Sequence, residues 1–215
     1  MKKDKNNKKN TKKNKKIIIP IIIILLVTLS IGGYLIFKQT TDKSTSAKTK
    51  VVDKIDNYGY TLEKDATNLY KELFKKLQKV LNENEVNEEE YAKLIAQMAS
   101  SDFYTLDNKM SKNDIGGSQF IYEPYRKNFV LEASETVYKY IQHNLYGTRT
   151  QQLPEVDQVD VEEIKQESYK YKKINDEKAY TVKVKLVYKK DMGYPSNVTV
   201  KRLHNNKKLQ VYYMK

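Results

Sequence analysis

The apolar positions of this chain fall into three regimes. The first is an unbroken run, Ile17–Phe37, of 21 residues without a charge, apolar on every side of a helix. At 1.5 Å per residue such a helix spans roughly 31 Å, which matches a hydrocarbon core of about 30 Å. The second regime has helical spacing. Leu62, Ala66, Leu69, Leu73, Leu77 and Val80 recur at intervals that predict a helix beginning near Tyr60, and Asn82–Glu85 break it. A second helix starts at Asn87, which can cap it. Glu90 is placed to reach back to the cap, and Val86 and Tyr91 to staple it. Glu88, Glu89 and Glu90 fall in its first turn, where the helix dipole favours negative charge. Its buried face is Tyr91, Leu94, Ile95 and Met98. Pro124 opens a third helical stretch with the stripe Phe129, Ala133, Val137, Tyr140, Ile141 and Leu145, and Gly147 supplies its stop.

After Pro154 the period falls from about 3.6 to 2. In "AYTVKVKLVYKK" Tyr180, Val182, Val184, Leu186 and Tyr188 face one way, and Thr181, Lys183 and Lys185 the other. "VTVKRL" and "KLQVYYM" are two further strands around the turn signal "HNNK", and "VDVEEIKQESYKYK" supplies one earlier strand or two short ones. The expected class is therefore α+β: an amino-terminal transmembrane helix, then helices packed on a curved antiparallel sheet of three or four strands. The expected divisions are a lysine-rich tail (1–16), the membrane helix (17–37), a flexible polar stalk (38–54) and an α+β domain (55–215).

The flanks of the apolar run decide how it is used. A cleavable signal sequence needs an apolar region of about 7–15 residues followed closely by small residues. Here the only small-residue site, Thr45-Ser46-Ala47, ends ten residues past Phe37, so the run reads as a retained anchor. Ile17, Ile24, Leu26 and Phe37 give it length, and Pro20 sits in the first turn, where its missing N–H costs nothing. Nine lysines precede the span and five follow it within a comparable distance. That asymmetry places the tail in the cytoplasm and residues 38–215 outside the membrane. Lys12, Lys13, Lys15 and Lys16 are then expected on anionic headgroups, so the lipid bilayer is the first expected partner.

Charge, divided by position, removes a competing reading. The formal net charge is +13, but nine lysines and one aspartate in residues 1–37 carry +8 of it. Only three arginines occur, so specific nucleic-acid binding is not expected. The abundance of Lys, Asn, Ile and Tyr fits the A+T-rich codons of a low-GC bacterium. The chain has no cysteine, which excludes disulfides and thiolate metal sites.

No catalytic or cofactor signature stands out, and neither cofactor nor metal is expected. The loop "LDNKMSKNDIGGSQF" carries Asp107, Asn108, Asn113 and Asp114, but their spacing fails the calcium-loop pattern. Gly116 and Gly117 lack the preceding strand and following lysine of a phosphate loop, and read as a tight turn. Asp114, Gly116 and Gly117 form the most distinctive loop and are the candidate partner contact. His143 and His204 have no evident catalytic companions. Inward strand positions (Val182, Val184, Leu186, Val198, Val200, Leu209, Val211) offer a core without an acid or base.

Helices followed by an antiparallel meander, behind a short tail and one span, resemble the NTF2-like family, in particular the VirB8-like components of conjugation and type IV secretion machines. The resemblance covers roughly residues 55–215 and rests on element order. It implies an extracytoplasmic domain that self-associates or contacts other envelope proteins as a scaffold. The alternative expectation is a small apolar ligand held in a cone between helices and sheet.

Overall fold

The computed structural model describes residues 50–171 and 174–215. The expected anchor (Ile17, Pro20, Ile24, Leu26, Phe37) and the headgroup lysines (Lys12, Lys13, Lys15, Lys16) lie outside the described residues. Among the described residues, no helix is long and apolar enough to cross a membrane.

The domain opens with a two-stranded antiparallel sheet, β1 (Val51–Ile55) and β2 (Tyr60–Glu63). Two expectations are corrected here. Residues 51–54 belong to a strand rather than to the flexible stalk, and Tyr60–Glu63 is strand rather than the start of a helix. The physical reason is Gly59, whose φ of +65° closes the turn and lets its N–H reach the Ile55 carbonyl at 2.6 Å. Leu62 keeps its place in the core, so its helical spacing to Ala66 is coincidental.

Helix α1 (Asn68–Leu81) starts at Thr67, whose hydroxyl accepts from the Tyr70 N–H at 3.2 Å. It buries Tyr70, Leu73, Phe74, Leu77, Val80 and Leu81. Helix α2 (Glu88–Tyr104) starts where the sequence predicts, with Asn87 Oδ1 accepting from the Glu90 N–H at 3.0 Å. The Glu90 carboxylate lies 3.9 Å from Lys93. Beyond its first turn α2 is buried nearly all round. Ala92, Ala96, Ala99, Ser100 and Ser101 let neighbours approach closely, and α2 contacts α1 and all four strands of the main sheet.

A 3-10 turn (Ser118–Phe120) leads to α3 (Glu123–Glu135). The third helix is shorter than predicted. Thr136 leaves helical geometry at φ −122°, ψ −95°, and the Thr136 hydroxyl donates back to the Glu132 carbonyl at 2.7 Å. The chain then turns Tyr138 into the core, while the expected stripe members Val137, Tyr140 and Leu145 are exposed. A helix continued to Leu145 would have carried Tyr138 away from the bonds it makes in the core.

The main sheet is an antiparallel meander in the order β3 (Val156–Tyr171), β4 (Ile174–Tyr188), β5 (Asn197–Asn205) and β6 (Lys208–Met214). The acidic stretch after Pro154 is thus one long strand, interrupted by three register shifts against β4. Val182 pairs with Val200 and Val184 with Val198, so the predicted apolar face is continuous from strand to strand. Asn206, at φ 55°, makes the β5–β6 turn. The rings of Tyr169 on β3 and Tyr212 on β6, the two edge strands, meet with centroids 4.0 Å apart. Flat, the edges of a four-stranded sheet would lie about 14 Å apart, so the sheet curls.

Candidate functional site

The loop singled out by the sequence lies on the carboxy-terminal half of α2. Gly116 approaches so closely that a Cβ there would stand 2.1 Å from the Asp102 carbonyl oxygen. Gly117 has φ +71°, and a Cβ on it would meet the Ala99 carbonyl oxygen at 2.7 Å. Both glycines are buried, so of the three candidate contact residues only Asp114 retains surface. The Gly117 N–H donates to Asp102 Oδ2 at 2.6 Å, and the Gly116 N–H to the Tyr138 hydroxyl at 3.1 Å. That hydroxyl donates in turn to the Phe103 carbonyl at 2.7 Å. Three segments distant in sequence therefore meet at the two glycines.

Lys109 completes the arrangement. Its ammonium is buried and lies 2.6 Å from Asp102 Oδ1. Burial pulls the Lys109 pKa down, yet the Asp102 carboxylate outweighs it and leaves the ammonium above its ordinary value. Arg149 pins the same loop from outside by donating to the Lys109 carbonyl at 2.7 Å and to the Asp107 carbonyl. Asp114 Oδ2 accepts from the Met110 N–H at 2.8 Å.

Above this pair opens a small pocket of about 100 Å³, lined by Glu63, Asp65, Asn108, Asp114 and Gln119 among others. Its volume suits about three water molecules. Burial, reinforced by neighbouring carboxylates, raises the pKa of Glu63. Asp114 is raised as well, by burial in the first place, against the Met110 N–H and Lys109, which favour its charge. Four carboxylates thus share one buried ammonium. Chemically the pocket is an acidic one, in which neighbouring carboxylates raise the proton affinity of Glu63 and Asp114. Among the described residues no group of His, Cys, Asp and Glu is arranged to hold a metal ion.

A second polar centre has no counterpart in the sequence motifs. The Leu209 N–H donates to the Tyr91 hydroxyl at 3.1 Å, the Tyr91 and Tyr60 hydroxyls are 2.6 Å apart, and Tyr60 donates to the Leu209 carbonyl at 3.4 Å. This ring joins β2, α2 and β6. Beside it Arg202 is fully buried. Its Nη1 donates to the Ala92 carbonyl, its Cζ lies 5.9 Å from the Tyr180 ring centroid, and its Nε and Nη2 have no partner among the described residues. Burial pushes the guanidinium down to about 9. The signal is present in the alternation Val198, Val200, Arg202, which puts the arginine on the inner face.

The histidines are not brought into one site. His143 is exposed after α3, whereas His204 on β5 sits 2.9 Å from Asp176 and 3.6 Å from Glu88. The space between α2 and the sheet is occupied by side chains: Leu94, Ile95, Met98, Val182, Val184 and Val200 are all inaccessible. Comparison with protein families, curated proteins and solved structures found no match to this chain.

Proposed function

We propose that this chain is a single-pass membrane protein whose extracytoplasmic α+β domain acts by contact, as a scaffold or interaction component of a conjugation or type IV secretion apparatus. In this reading the domain is an NTF2-like, VirB8-like one, and its partners are other envelope proteins or further copies of itself. The observation that carries the proposal is the close packing between α2 and the sheet. An NTF2-like fold that works on a small molecule needs an open cone, and here Leu94, Met98, Val182 and Val200 occupy that volume. On the alternative reading, a small apolar ligand would have to displace those side chains. Helices line one face of the sheet, and the other presents Thr181, Lys183, Lys185 and Lys201 with the exposed ring of Tyr213. A polar face with aromatic residues suits reversible protein contact.

Two measurements test this. Protease added to whole cells should remove residues 50–215 and spare the amino-terminal tail; full protection would overturn the orientation. A photo-crosslinker replacing Tyr213 or Lys185 in the full chain should capture envelope proteins in living cells. Absence of any adduct from either position would sink the contact reading.

A further inference from the structure

A groove of about 510 Å³ lies at the end of the domain where three separate turns converge. Asn57 comes from the β1–β2 turn, Glu123 and Arg126 from the first turn of α3, Asn206 and Lys207 from the β5–β6 turn, and Lys208 from the start of β6. Three cations therefore face one carboxylate, an excess of two positive charges.

The structure holds two of these cations in place. Arg126 Nη2 donates to the Ile121 carbonyl at 3.3 Å, while its buried Nε has no partner. The Lys208 ammonium stands 5.1 Å from the centroid of the Tyr60 ring. Among the described residues none of the three cations makes an ion pair. Burial and then the Arg126 charge push the Lys208 pKa down, opposed by Glu123, so the two cations repel across the groove and the single carboxylate offsets only part of that repulsion. The first turn of α3 adds to the field. Its N-cap, Tyr122, supplies no side-chain acceptor, and the positive end of the helix dipole is directed here.

We propose that this groove binds a ligand bearing a terminal phosphate, a phosphomonoester. A monoester carries nearly two negative charges at neutral pH, which matches the excess, whereas a lone carboxylate would leave one cation unpaired. Arg126 offers its remaining guanidinium N–H groups, Lys208 an ammonium held over the Tyr60 ring and Lys207 an exposed ammonium, all of them donors suited to such an anion. The groove has room for the group that carries the phosphate as well.

The test uses the full chain in nanodiscs of uncharged lipid, titrated at constant ionic strength with inorganic phosphate, with glycerol 3-phosphate and with chloride. Both phosphates should raise the unfolding midpoint saturably, and chloride should not. The combined change Arg126→Gln, Lys207→Gln and Lys208→Gln should weaken this effect at least tenfold, while Lys76→Gln, on the exposed side of α1, should leave it intact. If the triple variant is unstable before ligand is added, the exposed single change Lys207→Gln decides, with an expected loss of severalfold. Competition by vesicles containing phosphatidic acid would show that the phosphate arrives on a lipid, and its absence that it arrives on a soluble molecule. A shift that does not saturate, is matched by chloride or is lost equally in Lys76→Gln overturns the proposal.

Discussion

Asp102 grips Lys109 at 2.6 Å with one carboxylate oxygen and the Gly117 N–H at 2.6 Å with the other, so a single side chain fastens both ends of the Lys109–Gly117 loop to α2. Both contacts are charge-assisted hydrogen bonds at short range, and Lys109 has almost no surface.

Removing one partner of such a pair strands the other. Lys109→Met should cost about 3 kcal/mol, since breaking a buried pair leaves an uncompensated charge. Urea unfolding checks this, with a lowered midpoint and an unchanged slope expected. A loss under about 0.5 kcal/mol would mean that water already shares Asp102.

The two glycine contexts make a paired prediction. Gly116→Ala places a methyl 2.1 Å from backbone and should cost about 3 kcal/mol. Gly147, at φ +67° with nothing within 4 Å of an added methyl, should lose only about 1 kcal/mol on the same change. Equal losses would show that the Gly116 loop can lift from α2.

The pH dependence follows from opposed carboxylates. Glu63 and Asp114 titrate above their ordinary values in the folded chain, so they weigh against folding at neutral pH. That weight is relieved as pH falls through their folded values and is gone below about 4, the unfolded range. Asp176 behaves oppositely. Burial resists its charge, but the His204 and Lys178 N–H groups and the His204 ring outweigh burial and hold it below its ordinary value. Its contribution is present above about 4 and is lost as pH falls through its folded value. Stability should therefore rise as pH falls from neutral through the folded values of Glu63 and Asp114, and fall again as pH drops through that of Asp176. Asp114→Asn, which can still accept from Met110, should flatten the rise; thermal midpoints across pH 3–7.5 would show a flat parent profile if these shifts were absent.

Arg202 is a buried cation without a carboxylate, and its desolvation exceeds what one carbonyl and one tyrosine face return. Arg202→Leu should stabilise the domain by about 1 kcal/mol, read as a higher urea midpoint. A loss of that size would show that the bond to Ala92 holds α2 on the sheet.

What the sequence discloses depends on how local each signal is. The Asn87 cap and its acidic turn lie within four residues, and the sheet alternates cleanly because one face is buried. The β1–β2 hairpin is hidden because β1 is exposed along almost its whole length and carries no alternation to read. The third helix reads too long because Tyr138 competes with the stripe around it, and its partners Phe103 and Gly116 are 35 and 22 residues away. The Asp102–Lys109 pair hides for the same reason: its meaning depends on Tyr138 and Gly117 arriving from elsewhere. Arg202 is legible from alternation alone, but its charge makes the surface seem its natural place.

The order of elements also sets a timetable for the chain during synthesis. Every strand of the main sheet pairs with its immediate successor, so residues 156–214 can assemble among themselves once they exist. They leave the ribosome after all three helices. Until then α2 emerges with Leu94, Ile95 and Met98 uncovered, and Tyr91 waits for Leu209, a partner 118 residues downstream. Nascent helices in this protein therefore pass through a period of exposed apolar surface that ends only with the β5–β6 hairpin, which makes β6 the element that commits the domain to its fold.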